Sequence, residues 1–334
     1  MTNPSSILTD SHGREHTYLR ISLTERCNLR CTYCMPAEGA DLSPKEHIMK
    51  THEIVEIAKQ FVDLGVTKIR LTGGEPLVRK NVEEILRSLA ALPVELSLTT
   101  NAVILDRYLP LLKELGIRHL NISLDHLDAH RFLMTTLRDD YDKVMHNILL
   151  AEADDFFTVK VNAVLIKGVN DMEVVDFIRW TEDKNLHVRF IEFMPFDGNN
   201  WDMSRLVSFD EIVSAAMQHF GKENVLRIED RPNDTSENFR IRGHKGTFAI
   251  ISTVTRPFCS TCNRIRLTAN GRIKNCLFSG TETDLLTPFR AGADIRPLIK
   301  NAIRSKHAVR GGLDDSAFKN PGNHHNRSMI LIGG

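Results

Sequence analysis

Short apolar, β-rich runs alternate with longer charged amphipathic segments from about Thr17 to Met194. This rhythm is typical of parallel strands joined by helical crossovers. It predicts six strands, at Tyr18–Leu23, Lys68–Leu71, Val94–Thr99, His119–Leu124, Thr158–Ile166 and Val188–Phe193. It predicts helices near Thr51–Leu64, Val82–Leu89, Arg107–Leu115, Tyr141–Ala153 and Val174–Asp183. Six such units can form an open partial barrel or a doubly wound sheet, and periodicity alone leaves both open.

The rhythm changes beyond about Trp201. The pattern there predicts a helix, three short strands and a further helix, at Phe209–Phe220, Phe239–Arg242, Thr247–Ser252, Arg264–Thr268 and Asp294–His307. We therefore predict one domain over residues 1–200 and a smaller one over residues 201–310. The tail over residues 311–334 is rich in Gly, Asn, His and Ser and is expected to be irregular.

Composition and charge exclude several classes of protein. The chain has 334 residues, 42% hydrophobic and 26% charged, which is an ordinary globular balance. Its 43 Lys and Arg match 43 Asp and Glu, so any anion site must be local and nucleic acid is not an expected partner. The sequence has neither a signal-peptide pattern nor an apolar run of about 18 residues, so we expect a cytoplasmic protein without membrane contact.

The six cysteines form two triplets, and disulfides are uncommon in the cytoplasm. Cys27, Cys31 and Cys34 follow the first predicted strand with C-x₃-C-x₂-C spacing, and three soft ligands so close together suit one metal centre. Structural zinc normally takes four protein ligands, whereas an iron–sulfur cubane held by three cysteines leaves one iron open. The second triplet has C-x₂-C-x₁₃-C spacing and comprises Cys259, Cys262 and Cys276. For this triplet the alternative is a zinc ribbon completed by a histidine such as His244 or His307.

Cations inside predicted strands form a second pattern. Arg20, Arg70, Lys160 and Arg189 are each flanked by apolar neighbours, and an unpaired cation in a core is costly. An isolated arginine usually makes an ordinary ion pair, but in a barrel these four side chains would converge on one polyanion. Arg264 and Arg266, two residues apart beside the second triplet, would project into the same cavity. Six cations suit a triphosphate and a purine, and no P-loop motif is present to bind a nucleotide otherwise.

Two motifs together resemble the radical S-adenosylmethionine (SAM) superfamily. They are the first cysteine triplet with Tyr33 before its last cysteine, and Gly73-Gly74-Glu75-Pro76 about forty residues later. The resemblance implies that the open iron chelates the amino and carboxylate groups of SAM and that the reduced cluster cleaves SAM to a 5′-deoxyadenosyl radical. It also implies that the Gly-Gly-Glu-Pro turn contacts the methionyl amino group.

The whole chain resembles, in order, the GTP 3′,8-cyclase (MoaA) family of molybdenum cofactor biosynthesis. The resemblance rests on Asp10-Ser-His-Gly-Arg14, Tyr18-Leu-Arg-Ile-Ser22, Cys34-Met-Pro36, Lys68-Ile-Arg-Leu-Thr-Gly-Gly-Glu-Pro76, Thr99-Thr-Asn101, Ser123-Leu-Asp125, Arg189-Phe-Ile-Glu-Phe-Met194, Cys259-x-x-Cys-Asn-Arg-Ile-Arg266 and Gly333-Gly334. His12 departs from the usual aromatic residue, and Ala102 from the usual glycine, which questions the local turn. The resemblance implies an α/β fold, a partial (β/α)6 TIM-type barrel closed by a smaller C-terminal α+β unit.

The resemblance also implies a ligand for each predicted site residue. Two [4Fe-4S] clusters would be held by Cys27, Cys31 and Cys34 and by Cys259, Cys262 and Cys276. SAM would be bound by Tyr33, Gly74, Ser123 and Met194. GTP would be bound by Arg20, Arg70, Thr99, Lys160, Arg189, Arg264, Ile265 and Arg266. Catalysis would involve Arg264, Arg266 and the terminal Gly333 and Gly334, which resemble a tail that enters the active site.

The implied reaction converts GTP to a 3′,8-cyclised triphosphate, with an electron donor of the flavodoxin or ferredoxin type. Cyclic pyranopterin monophosphate synthase (MoaC) would act next, and the chain would be a monomer or homodimer. Two alternatives stay open: a peptide-modifying radical SAM enzyme, and a zinc-binding or electron-transfer protein without SAM chemistry. His119 and His146 are interpreted as ordinary surface or packing histidines.

Overall fold

The computed structural model describes residues 7–35, 39–314, 318 and 326–333. Pro36 and Gly334, which belong to the predicted motifs, lie outside these residues. The strands are β1 Tyr18–Ser22, β2 Lys68–Thr72, β3 Glu95–Thr100, β4 His119–Ser123, β5 Thr158–Leu165, β6 His187–Glu192, β7 Val225–Ile228, β8 Glu237–Ile241, β9 Thr247–Ile251, β10 Arg264–Leu267, β11 Arg272–Lys274 and β12 Thr283–Asp284. The α-helices are α1 Thr51–Asp63, α2 Val82–Ala90, α3 Leu109–Glu114, α4 Ala129–Thr136, α5 Tyr141–Glu152, α6 Val174–Arg179, α7 Phe209–Phe220, α8 Leu286–Arg290, α9 Arg296–Arg304 and α10 Met329–Ile332.

All twelve strands belong to one sheet, in the order β12-β11-β10-β1-β2-β3-β4-β5-β6-β9-β8-β7. Strands β1 to β6 pair in parallel and in chain order. A doubly wound sheet would reverse its order at a switch point, so this order identifies the partial (β/α)6 barrel. The C-terminal part adds β10 beside β1 and β9 beside β6, both in parallel, and extends each edge with antiparallel strands.

Alternation along each barrel strand separates the core from the lumen. Leu19 and Ile21 on β1 are fully buried and belong to one hydrophobic core with Ile54, Ile57 and Phe61 of α1. Successive side chains of a strand point to opposite faces, so the residues between these apolar positions face the barrel interior. Burial of the apolar face thus places the polar strand residues around a common lumen.

The six predicted barrel strands are confirmed, with ends that differ by one residue at most. The structure adds α4, α8 and α10 and the short strands β7, β11 and β12, which the pattern did not predict. The tail was expected to be irregular, but α10 is helical and buries Ile330 and Ile332. The domain boundary at residue 200 stays a prediction. Within the described residues, no helix is long and apolar enough to cross a membrane.

Candidate functional site

A cavity of about 890 Å³ occupies the barrel interior. At the carboxyl ends of the strands it is lined by the first cysteine triplet and by Gly73 and Gly74. At the amino ends it is lined by Lys68, His119 and His187. The cavity lining also includes the predicted SAM and GTP residues Tyr33, Ser123, Met194, Arg20, Arg70, Thr99, Lys160, Arg189, Arg264 and Arg266.

Strand register brings three arginines into one row. Arg266 on β10 is opposite Arg20 on β1, which is opposite Arg70 on β2. Neighbouring strands are about 4.8 Å apart, so these guanidinium groups are close neighbours on the lumen face. The spacing of Arg264 and Arg266 therefore does bring both side chains into the cavity, as predicted.

Several of these cations lack counterions within the part of the chain that the structure describes. Among the described residues, the side chains of Arg20, Arg70 and Lys160 have neither a hydrogen bond nor an ion pair. Nε of Arg20, Nε of Arg70 and Nη1 of Arg264 are buried without a partner, as is Oγ1 of Thr99. Buried polar groups are nearly always satisfied, so this arrangement requires an external ligand rich in acceptors.

The pKa values of the cavity cations show that burial and mutual repulsion disfavour their charged forms. Burial, reinforced by the charges of Arg266 and Arg70, holds the pKa of Arg20 well below its usual range. Burial and the charge of Arg189 lower the pKa of Lys160 to about 7. Burial also lowers the pKa of Arg189 to about 9 and that of Arg266 to about 10. The cavity is therefore strongly cationic at neutral pH and is suited to a polyanion.

Tyr18 is a site residue that sequence reasoning missed. Lys68, Arg70 and Arg264 lie over its ring at 5.5, 5.4 and 5.8 Å from the centroid. Its hydroxyl is buried and has no hydrogen-bond partner among the residues that the structure describes. The available signal was an aromatic residue two positions before Arg20, on the same face of β1. The ring partly offsets the repulsion among three cations.

Two asparagines hold Arg189 and were also missed. Nε of Arg189 donates to Oδ1 of Asn162 at 2.8 Å, and Nη2 donates to Oδ1 of Asn121. Both amides stand at alternating positions of β4 and β5, where a polar residue recurs between apolar ones. Neutral acceptors fix the guanidinium without cancelling its charge.

The loop after β1 presents the first triplet. Its backbone is tied to the last turn of α4, since Arg30 N donates to Thr136 O at 2.9 Å and Thr32 N to Thr135 O at 3.0 Å. Leu29 N lies 3.4 Å from the Cys27 sulfur, and Asn101 Nδ2 lies 3.7 Å from it. Burial raises the pKa of Cys27 to about 11 and that of Cys34 to about 12. A bound metal would supply the positive charge that these thiolates need.

The Gly73-Gly74-Glu75 turn packs directly on this loop. Gly74 N donates to Thr24 O at 2.8 Å, and Glu75 N donates to Arg26 O at 2.9 Å. The buried Glu75 carboxylate accepts bonds from Leu77 N, Thr100 Oγ1 and Asn101 N at 3.0, 2.8 and 2.6 Å. It therefore joins the loops after β2 and β3.

Tyr33 is oriented by a residue that sequence reasoning left without a role. Its hydroxyl donates to Oδ2 of Asp125 at 2.7 Å, and Val164 N donates to Oδ1 at 2.8 Å. Asp125 follows β4 and is buried, and it also lines the cavity. Its position after a predicted strand, within Ser-Leu-Asp, was the signal.

The second triplet flanks β10 and β11. Cys259 and Cys262 precede β10, Cys276 follows β11, and all six cysteines of the chain are free. Arg310 N lies 3.3 Å from the Cys259 sulfur, and Lys306 Nζ lies 3.5 Å from the Cys262 sulfur. Burial acts to raise the pKa of Cys262, but the charges of Lys306 and Arg264 outweigh it and the pKa is lowered.

One of the two histidines that could complete a zinc ribbon at this triplet, His244, has another partner. His244 lies in the turn between β8 and β9, where its Nδ1 is 3.0 Å from Thr181 Oγ1. In the described part of the chain, no three His, Cys, Asp or Glu side chains are arranged to hold a single metal ion. Thiolates on one zinc lie close together because each Zn–S bond is about 2.3 Å, whereas those of a cubane bind different irons. The sulfur donor set suits iron–sulfur clusters.

Gly333, in the last described segment, contacts a cavity arginine. Arg266 Nη1 donates to Gly333 O at 2.8 Å, and Gly333 has φ +86°. A Cβ on Gly333 would lie 2.8 Å from Ser22 Cβ and 2.9 Å from Thr72 Oγ1, so only glycine fits. Ile265, in contrast, is fully buried in the hydrophobic core, so its side chain does not line the cavity.

Comparison with known proteins decides the family. The Radical SAM superfamily model matches residues 21–181, and the Molybdenum Cofactor Synthesis C model matches residues 186–310. The mitochondrial GTP 3′,8-cyclase of Arabidopsis thaliana is 48% identical, over 99% of this chain and 85% of that protein. The GTP 3′,8-cyclase of Listeria monocytogenes is 43% identical, over 95% of this chain and 92% of that protein. This chain belongs to the GTP 3′,8-cyclase family.

Other relatives of this chain are longer. The chain spans about half of Molybdenum cofactor biosynthesis protein 1 from Dictyostelium discoideum, which is 44% identical over 98% of this chain and 52% of that protein. Streptococcus suis SuiB bound to S-adenosylmethionine shares the fold, with TM-score 0.61 and 16% identity over 96% of this chain and 78% of that chain.

Family membership confirms the predicted enzyme class and the use of SAM and iron–sulfur chemistry. It argues against a zinc protein without SAM chemistry. Ala102, one of the two residues that depart from the GTP 3′,8-cyclase pattern, has φ +63°, a conformation that favours glycine. Its amide donates to Thr100 Oγ1 at 3.0 Å, so the turn forms despite the side chain.

Proposed function

We propose that this chain converts GTP and SAM to (8S)-3′,8-cyclo-7,8-dihydroguanosine 5′-triphosphate, 5′-deoxyadenosine and methionine, the first step of molybdenum cofactor biosynthesis. The observation that carries the proposal is the set of cavity cations without counterions in the described residues, in one cavity with the first cysteine triplet. A triphosphate supplies the missing negative charge, and a neutral or peptide substrate does not.

The proposed cofactors are two [4Fe-4S] clusters and SAM. Cys27, Cys31 and Cys34 would hold the first, with SAM bound by Tyr33, Gly74, Ser123 and Met194. Cys259, Cys262 and Cys276 would hold the second, which would supply an open iron for substrate binding. When bound, the first cluster and SAM supply the radical that removes hydrogen from ribose C3′.

The chain's own residues bind and orient the substrate. Arg20, Arg70, Lys160 and Arg189 would hold the triphosphate, with Thr99 as a further hydrogen-bond donor. Arg266 would link the substrate to the tail, because it already donates to Gly333 O. Rigid placement of C3′ near guanine C8 is the main contribution of the protein to ring closure.

Several finer assignments stay proposals. The electron donor would be of the flavodoxin or ferredoxin type, and cyclic pyranopterin monophosphate synthase would consume the product. The chain would act in the cytoplasm as a monomer or homodimer, although one relative is mitochondrial by name.

The direct test is formation of 5′-deoxyadenosine by anaerobically reconstituted protein with SAM and dithionite, with and without GTP. We expect release that depends on GTP and matches the loss of GTP to a cyclised product. SAM cleavage that is indifferent to GTP would leave the fold and SAM chemistry intact but refute the substrate.

Substitution of the arginine pair separates substrate use from SAM cleavage. In an Arg264→Ala/Arg266→Ala variant we expect GTP turnover to be lost while uncoupled SAM cleavage survives, because both side chains line the substrate cavity. Arg296→Ala, at an exposed position of α9, is the matched control. Unchanged GTP turnover in the double variant would contradict the assignment.

Metal analysis tests the two clusters. We expect about eight iron atoms and eight sulfides per chain after anaerobic reconstitution, and about half of each in a Cys27→Ala/Cys31→Ala/Cys34→Ala variant. Zinc without iron would overturn the proposal.

A further inference from the structure

Lys306 is a buried lysine that the proposed reaction does not use. It follows α9, is 3% exposed, and its amide donates to Ile303 O at 3.0 Å. Its ammonium nitrogen lies 3.5 Å from the Cys262 sulfur and 2.9 Å from Arg264 O. Both groups are acceptors, so the side chain bridges a cysteine of the second triplet to the first residue of β10.

Lys306 has no carboxylate partner among the described residues. Its charge acts on His16, Cys262 and Cys276, and His16 in turn contacts Asp10. The Asp10 carboxylate is already engaged, by Arg14 Nε at 2.6 Å and by His16 Nε2 at 3.0 Å. A buried ammonium is costly unless it is paired, so its counter-charge must come from the cysteines.

A loaded second site would supply that charge. A cubane bound by three thiolates carries net negative charge, and reduction by one electron adds another. A fixed cation beside a ligand sulfur stabilises the reduced form of the cluster more than the oxidised form. Hydrogen bonds to the sulfurs also help to set the reduction potential of the cluster. The backbone amide of Arg310, 3.3 Å from the Cys259 sulfur, adds a second donor.

We propose that Lys306 is a positioning residue for the second cluster: it donates a hydrogen bond to the Cys262 sulfur, compensates the cluster's negative charge and fixes that sulfur relative to Arg264. The inference rests on the proposed second cluster. It assigns to this lysine the retention of the cluster and an increase in its reduction potential.

The test uses the full chain with Cys27→Ala, Cys31→Ala and Cys34→Ala, so that only the second triplet can hold iron. In this background Lys306→Met removes both charge and donor, Lys306→Gln keeps a donor but loses the charge, and Lys306→Arg keeps the charge. Lys300→Met, at an exposed position of α9, is the matched control. The midpoint potential is measured by redox titration followed by electron paramagnetic resonance, and iron retention by challenge with a chelator. Circular dichroism checks that each variant is folded.

Lys306→Met should shift the midpoint potential to a more negative value and weaken iron retention roughly 10- to 100-fold, the usual range for loss of a group that orients a metal ligand. Lys306→Gln should show the shift in potential with better retention, while Lys306→Arg and Lys300→Met should stay near the parent. If folded Lys306→Met and Lys306→Gln keep the parent's midpoint potential and iron retention, the role of Lys306 is overturned while the second cluster stands. Absence of iron from the parent background would refute the second cluster and the inference with it.

Discussion

At the scale of single residues, the cavity cations are held in an unfavourable state that a ligand relieves. Arg20 and Arg70 face each other across β1 and β2 without a counterion among the described residues. In the described part of the chain, the hydrogen-bond partners of the Arg189 side chain are the neutral amides of Asn121 and Asn162. Core packing offsets the cost of these charges, and the same charges provide the attraction for a polyphosphate.

Lys160 should couple GTP binding to proton uptake. Its pKa is about 7 in the free protein because burial and neighbouring cations disfavour its charged form. A bound triphosphate favours that form and raises the pKa, so binding near pH 8 should take up about one proton, and affinity should fall as pH rises above 7.

Isothermal titration calorimetry in buffers of different ionisation enthalpy measures the uptake. Above pH 7.5 the terminal phosphate of GTP, with pKa about 6, is already ionised, so the measured proton uptake reports on the protein. In Lys160→Met the uptake should vanish, and an equal uptake there would contradict the assignment.

At the scale of elements, close backbone contact between two loops positions the first cysteine triplet. A Cβ on Gly74 would lie 2.5 Å from Arg26 O and 3.1 Å from Cys27 Cβ. Gly74→Ala should therefore displace the cysteine loop, lower the iron content of the first site and reduce stability by about 1–3 kcal/mol. Iron analysis and urea unfolding check this. Gly168→Ala, with φ +77° and open space around it, is the control for a glycine-to-alanine change without a steric clash. Equal iron content in the two variants would contradict the steric argument.

The elements that the sequence predicted are those whose own pattern decides their structure. The six barrel strands alternate or are continuously apolar, and α7 begins with a Ser208 to Glu211 capping box. The strands β11 and β12 have three and two residues, and β7 is mostly exposed, so pairing with neighbours determines them. The same division applies to the site. The charged residues on apolar strands were predicted from the sequence, whereas the roles of Tyr18 and Asp125 depend on contacts with distant segments.

At the scale of the whole molecule, Arg14 and Gly333, from the first and last described segments, converge on the second triplet and the cavity. Arg14 donates to Cys259 O at 2.8 Å, Ala308 O at 2.7 Å and His307 O at 2.7 Å. This guanidinium joins the N-terminal hairpin to the cysteine loop and to the segment after α9. The site therefore forms only when segments separated by the full barrel assemble, which explains why its completeness could not be predicted from local patterns.

The tail should control how SAM cleavage is coupled to cyclisation. Gly333 is in contact with Ser22 and Thr72, and its carbonyl accepts a bond from Arg266. Gly333→Ala should push the tail out, free Arg266 from its carbonyl partner and lower the ratio of cyclised product to 5′-deoxyadenosine, by roughly 10²-fold if substrate placement shifts by about 1 Å. Both products are quantified by liquid chromatography of the same anaerobic reaction. Gly292→Ala shares the positive φ, at +78°, but meets open space, so it should keep the parent ratio. A parent ratio in Gly333→Ala as well would show that the docked tail takes no part in positioning GTP.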